Sequence, residues 1–137
     1  MNTKILLDTH IALWSLYESG RLSEEEKKLL ESTRNDVYVS LASVWEVAIK
    51  NRIGKSDVNA EVFLDDCIET GFEILPIEAE HILGLYSLPD FVNGHRDPFD
   101  RMLMSQALSE QCRLFTKDGK ILQYDLPIFL KADRDLI

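Results

Sequence analysis

The run KILLD, Lys4 to Asp8, constrains the fold more than any other stretch, because it is a short continuous apolar segment that stops at an acid. Such a run suits a strand buried on both faces, as in a parallel sheet. The sequence then changes at once to helical spacing in THIALWSLYESG, with Ile11, Leu13, Trp14, Leu16 and Tyr17 apolar and Gly20 as a stop. The same change recurs downstream. DVYVS (Asp36 to Ser40), FEILP and RLFT read as further strands, and PIFL as a short fifth.

Between them lie helical segments. SEEE opens one, in which Ser23 caps and Glu26 reaches back, and it ends near Thr33. LASVWEVAIKNRIG carries Leu41, Val44, Trp45, Ala48 and Ile49 as an apolar stripe, and AEVFLDDCIETG turns Val62, Phe63, Cys67 and Ile68 inward before Gly71. EAEHILGLYSL is a further helix, PDFVNGH an irregular loop, and DGKILQY a short helical turn. In PFDRMLMSQALSEQC, Asp97 caps, Pro98 occupies the first turn, and Phe99, Met102, Leu103, Ala107 and Leu108 repeat along the apolar side.

Strands alternating with helices imply a three-layer α/β/α domain, because parallel neighbours need crossover connections. The 137 residues suffice for one such domain, 1–137, with a central parallel sheet of about five strands. No apolar run approaches the roughly 18 residues of a membrane span and no signal-type segment opens the chain, so a cytoplasmic protein is expected. Cys67 and Cys112 lack metal-ligand spacing and read as reduced, buried small hydrophobes. A net charge of -9 argues against gripping nucleic acid by overall attraction, yet it leaves room for an enzyme whose acids surround a cation. A local basic rim could still meet phosphates, the candidates being Lys50, Arg52, Arg96, Arg101 and Lys117.

In doubly wound sheets ligands collect beyond the carboxyl ends of the strands. Four acids fall there. Asp8 ends the first strand, Glu46 lies six residues after Ser40, Asp100 sits in the first turn after Pro98, and Asp118 follows Thr116 by two. Singly, each reads equally as a helix cap or a first-turn acid. Together they would repel, and a divalent cation removes that conflict. The hard oxygen set suits Mg²⁺, with Mn²⁺ an alternative, and the chemistry such an ion supports is phosphodiester hydrolysis.

The segments LLDTHIALW, SVWEVAIKNRIGK, HRDPFDRMLMSQA and LFTKDGKILQY, in this order, resemble the PIN-domain ribonucleases, and among them the VapC-type toxins of toxin-antitoxin pairs. The resemblance covers nearly the whole chain. It implies a strand order of 3-2-1-4-5, a Mg²⁺-dependent endoribonuclease (a hydrolase of the EC 3.1 class), and an acidic quartet of Asp8, Glu46, Asp100 and Asp118. Asp97 then stands as a cap or outer partner, and Thr116 and Ser40 as hydroxyls that could support the carboxylates. The resemblance further implies an RNA substrate, a homodimer, and an antitoxin partner covering the acidic cleft. Trp14, Leu16, Tyr17, Trp45 and Ile49 are available to line its groove or to fill the core. Two other readings use the same acids. A phosphotransfer domain of the phosphatase-like kind would want a second aspartate two residues after the nucleophile, where His10 stands, and one of the receiver-like kind would want an acidic pair before its first helix and a lysine after its last strand, neither of which is clear. A catalytically silent PIN-like binding module would use the acids only as caps.

Overall fold

The computed structural model describes residues 2–90 and 94–130. Residues 91–93, within the loop read as irregular, and 131–137 lie outside that description. Strand β1 (Thr3–Leu7) is central. It pairs in parallel with β2 (Asn35–Ser40) on one side and β4 (Arg113–Phe115) on the other, and β2 carries β3 (Glu73–Leu75) at its far edge. The order is β3-β2-β1-β4. Among the described residues the expected fifth strand shrinks to a single parallel bridge between Leu114 and Phe129. Leu114 N donates to Ile128 O and Leu130 N to Leu114 O, so the segment continues the sheet beyond β4 without becoming a strand.

Both faces of β1 are covered, as its unbroken apolar run requires. Ile5 and Leu7 join one core, with Ile11, Leu29, Val37, Val39, Phe63 and Phe115. Leu6 joins the other, with Ala42, Leu103, Met104, Leu114 and Tyr124. The helices are α1 (Thr9–Tyr17), α2 (Glu24–Glu31), α3 (Leu41–Arg52), α4 (Ala60–Thr70), α5 (Ala79–Leu83), α6 (Pro98–Glu110) and α7 (Gly119–Leu122). Ser23 and Glu26 form the expected capping box of α2, which stops at Glu31, short of Thr33. The segment read as one helix after β3 breaks after α5 into a 3₁₀ turn, Gly84–Ser87. Gly84 allows close approach there, since a Cβ would meet Ser105 Oγ of α6 at 2.6 Å. Gly71 ends α4 in the left-handed region at φ 99°. Both cysteines are free and buried, and burial pushes their thiols up, to about 12 for Cys67 and about 11 for Cys112. Among the described residues no helix is long and apolar enough to cross a membrane.

The two middle helices turn differently from the apolar stripes assigned to them. On α3 the buried residues are Ala42, Ser43, Glu46 and Val47, while Leu41, Trp45 and Ile49 of the apolar stripe face out. On α4, Phe63 and Cys67 are buried but Val62 and Ile68 are exposed. Periodicity identifies residues that share a face; it does not say which face turns inward. Here Glu46 lies on the inner face of α3, where Thr9 Oγ1 donates to its carboxylate. Two valines test this arrangement. Val47→Ala, at 3% exposure, is expected to cost about 2 kcal/mol of unfolding free energy. Val62→Ala, at 53% exposure, should change it by about 0.5 kcal/mol or less. Urea titrations of the two variants check the contrast, and equal losses would contradict it.

Candidate active site

The sheet register builds the site. Leu7 is level with Val39 and with Phe115, so the next residues, Asp8, Ser40 and Thr116, form a row at the carboxyl edge. Asp8 N donates to Phe115 O at 3.0 Å, extending the ladder by one rung and fixing Asp8 beside Thr116. Asp8 is buried. Its Oδ1 caps α1 by accepting from Ile11 N at 2.8 Å, and its Oδ2 accepts a hydrogen bond from Thr116 Oγ1. Thr116 Oγ1 in turn accepts from Asp118 N at 3.1 Å, and Asp118 caps α7 through Lys120 N at 2.8 Å. One threonine thus ties two of the predicted acids together. Both line a depression of about 180 Å³ with His10, Ile11, Trp14 and Lys117.

The other two acids enter from α3 and α6. Glu46 is buried, and its Oε1 accepts from Thr9 Oγ1 at 2.6 Å, while Ser43 Oγ lies 2.9 Å from the same hydroxyl. Because Thr9 follows Asp8 directly, this bond carries Glu46 to the same edge of the sheet. Glu46 Oε2 pairs with Lys50 Nζ at 3.0 Å. Asp100 lies in the first turn of α6, where Asp97 caps by accepting from Phe99 N at 2.9 Å and Asp100 N at 3.0 Å. Asp100 Oδ2 lies 2.9 Å from Nε2 of His95.

The electrostatics show which acids sense one another. Burial raises the Asp8 carboxyl above its ordinary value; the bonds from Thr116 and Ile11 N oppose this, and the charge of Asp118 adds to it. Burial likewise raises Asp100, to about 6, with His95 opposing and the charges of Asp97 and Glu46 reinforcing. The fold therefore holds two carboxyls against their preference to lose a proton. For Asp100, with a folded value above the unfolded one, the stabilisation is complete below about pH 3.8 and is lost as the pH rises through about 6. In EDTA, raising the pH from 4.5 to 7.5 should thus cost the wild-type chain on the order of 1–2 kcal/mol more than Asp100→Asn. Parallel denaturation curves at the two pH values would show otherwise.

The donor set suits Mg²⁺ or Mn²⁺. All four groups are carboxylates, and Oδ1 of Asp100 and Oδ2 of Asp118 lie outside the bonds described above. The quartet is not closed to direct contact: among the described residues, the carboxylate and imidazole ligand atoms that all lie within 4.8 Å of one another belong instead to Glu80, His81 and Glu110. A spread set is compatible with Mg²⁺, which keeps several waters and takes only one or two protein carboxylates directly.

The tighter trio is a structural device. His81 is fully buried, its Nδ1 accepts from Glu78 N at 2.9 Å as part of a capping box, and its Nε2 lies 2.8 Å from Glu110 Oε2. A ring whose Nδ1 accepts carries its hydrogen on Nε2, toward Glu110, so neither nitrogen offers a lone pair to a metal.

The remaining predicted positions divide. Ser40 caps α3, accepting from Ala42 N at 2.9 Å. Of the basic candidates, Lys117 pairs with Glu26 at 2.7 Å, and Arg101 donates to Pro89 O and to the Tyr124 hydroxyl, both at 3.2 Å. Arg52 and Arg96 are exposed. Trp14 and Leu16 pack against the core, while Tyr17, Trp45 and Ile49 remain exposed. Thr9, Ser43, His95 and Tyr124, which bond to the candidate acids or to their partners, had not been singled out. The available signals were a hydroxyl directly after a strand-end acid, and a histidine five residues before Asp100.

The PIN domain family matches residues 5–126. Among solved structures, the crystal structure of VapBC2 from Rickettsia felis, bound to a DNA fragment from their promoter, superposes with a TM-score of 0.70 at 17% identity, covering 93% of this chain and 96% of that one. FitAcB from Neisseria gonorrhoeae superposes with a TM-score of 0.59 at 20% identity, covering 92% and 96%. At these identities the likeness is one of fold. No curated protein matches the sequence significantly.

Proposed function

The chain belongs to the PIN domain family, and from that premise we propose that it is a Mg²⁺-dependent endoribonuclease of the VapC type, a single PIN domain over residues 1–137. The observation that carries this reading is the row Asp8, Thr9 and Thr116. It joins Asp118 on one side to Glu46 on the other, at the carboxyl edge of a parallel sheet. Asp8, Asp100 and Asp118 would hold the ion, and Glu46 would bind it or orient the attacking water. When bound, Mg²⁺ supplies an activated water and offsets charge that builds on the phosphorus and the leaving oxygen.

The chain's own groups prepare for this. Thr116 and Ile11 N fix both oxygens of Asp8, so its carboxylate cannot rotate away. Thr9 fixes one oxygen of Glu46 and Lys50 offsets its charge. Arg52 and Arg96 are exposed cations on α3 and just ahead of α6, the two elements that carry Glu46 and Asp100, and they are suited to backbone phosphates. The outward stripe of Leu41, Trp45 and Ile49 on α3, with Trp45 edge to face with Phe99 at 5.0 Å, supports a protein-binding surface beside the acids. An antitoxin and a second copy of the chain are the partners this reading assigns. The structural likeness to VapBC2 supports the antitoxin.

Incubating the purified chain with total RNA, with Mg²⁺ or with EDTA and alongside Asp8→Asn, tests the proposal. Cleavage that needs both the ion and Asp8 is expected. Absence of any metal-dependent cleavage would leave Asp8 and Asp118 as caps and Glu46 and Asp100 as structural partners of Thr9 and His95, and would favour a silent binding module.

A further inference from the structure

Behind Asp100 stands a chain of groups that an acidic quartet alone does not require. Asp100 Oδ2 lies 2.9 Å from His95 Nε2, His95 Nδ1 lies 3.1 Å from the Tyr124 hydroxyl, and that hydroxyl accepts from Arg101 Nη1 at 3.2 Å. His95 and Tyr124 are buried, and their rings meet edge to face with centroids 5.6 Å apart. The Arg101 guanidinium lies 5.9 Å from the centre of the Tyr124 ring and donates also to Pro89 O at 3.2 Å. Gly94, at φ 75°, makes the turn that brings His95 into this position, a conformation that side chains with a Cβ resist.

The direction of the chain is set at both ends. An ionised carboxylate can only accept, so His95 Nε2 carries the hydrogen toward Asp100. A guanidinium can only donate, so the Tyr124 oxygen receives Arg101, and its own hydrogen goes to the nearer of two acceptors, His95 Nδ1 at 3.1 Å rather than the His95 carbonyl oxygen at 3.4 Å. The route from Arg101 through Tyr124 and His95 to Asp100 is then a single run of donors, each orienting the next. It anchors Oδ2 of Asp100 and leaves Oδ1 outside these bonds.

We infer that His95 is a positioning residue: backed by Tyr124 and Arg101, it holds the Asp100 carboxylate in the orientation from which Oδ1 meets the cation. The inference rests on the reading of Asp100 as a metal-holding acid. Outer partners of ligating groups restrict them to the binding orientation, and losing one typically lowers metal affinity 10–100-fold.

The test uses the full chain and Mn²⁺ as probe, with His95→Leu, His95→Gln and Tyr124→Phe. Calorimetric titration should show Mn²⁺ binding weakened about 10–100-fold in His95→Leu and about 3–10-fold in Tyr124→Phe. His95→Gln, whose side-chain amide can still donate to Asp100, should recover to within about fivefold. On a mixed-sequence RNA oligonucleotide, kcat should fall in the same order while KM holds, a split that general loosening of the fold would not produce. Crystal structures of the metal-free variants add a readout free of metal and RNA, in which the Asp100 carboxylate should rotate in His95→Leu and stay in place in His95→Gln. Unchanged Mn²⁺ affinity in a folded His95→Leu, or an Asp100 that does not move there, would overturn the inference. If His95→Leu does not fold, Tyr124→Phe matching wild type in both Mn²⁺ affinity and Asp100 orientation would do so. A wild-type chain that binds no Mn²⁺ would instead overturn the proposed function, and the Asp100 orientation would still decide this inference.

Discussion

Asp8→Asn should lose about 10³-fold in Mg²⁺-dependent RNA cleavage while melting at the same temperature as wild type or higher. The activity loss follows from the ion's contribution to the transition state, several kcal/mol, and each 1.36 kcal/mol is a factor of ten. The unchanged or raised melting temperature follows from the three tasks of Asp8. As the acceptor of Thr116 Oγ1 it is replaced by the asparagine amide, which can donate to that hydroxyl oxygen instead. As a cap it accepts from Ile11 N, and asparagine caps about as well as aspartate. As a charge it is buried beside Asp118, so its removal relieves a repulsion that exists whenever the ion is absent. Cleavage assays and melts in EDTA on one preparation read both. A variant that cleaves normally would mean that Asp8 only caps α1.

The pair Asp97 and Asp100 gives the second large effect, because the two acids stand three residues apart on one helix start. Asp100→Asn should lose cleavage on the same scale, about 10³-fold. Asp97→Asn should stay within severalfold of wild type. Its oxygen accepts from Phe99 N and Asp100 N, and asparagine retains that geometry while giving up the charge. Asp97→Ala should instead cost about 1 kcal/mol of stability, the usual price of a lost cap. If Asp97→Asn abolishes cleavage and Asp100→Asn does not, the third acid has been misassigned.

The strand-end rule made part of this site legible in the sequence. Asp8 and Thr116 follow β1 and β4 directly, and the parallel register sets them side by side. The capping signals at Ser23, Asp97 and Gly71 appear where local chemistry places them. Legibility ends where tertiary contacts decide. The apolar spacing on α3 groups Leu41, Trp45 and Ile49 correctly on one face, yet that face looks outward, since Glu46 and Ser43 meet Thr9 on the other. A hydrophobic pattern alone cannot tell a stripe left in solvent from one that fills the core. His95 was harder still to read. It is the last residue of the stretch read as an irregular loop, it carries no periodic signal, and its partner Tyr124 lies 29 residues further on. PIFL keeps its place in the sheet order but, among the described residues, makes one bridge, at Phe129.

The central claim is that folding gathers Asp8, Glu46, Asp100 and Asp118 around one cation position. Crystals of the wild-type chain soaked in Mn²⁺ and measured for anomalous scattering test it most directly. A peak within carboxylate reach of Asp8, Asp100 and Asp118 is the expected result. No peak among these acids at saturating Mn²⁺, or a peak confined to Glu80 and Glu110, would contradict it.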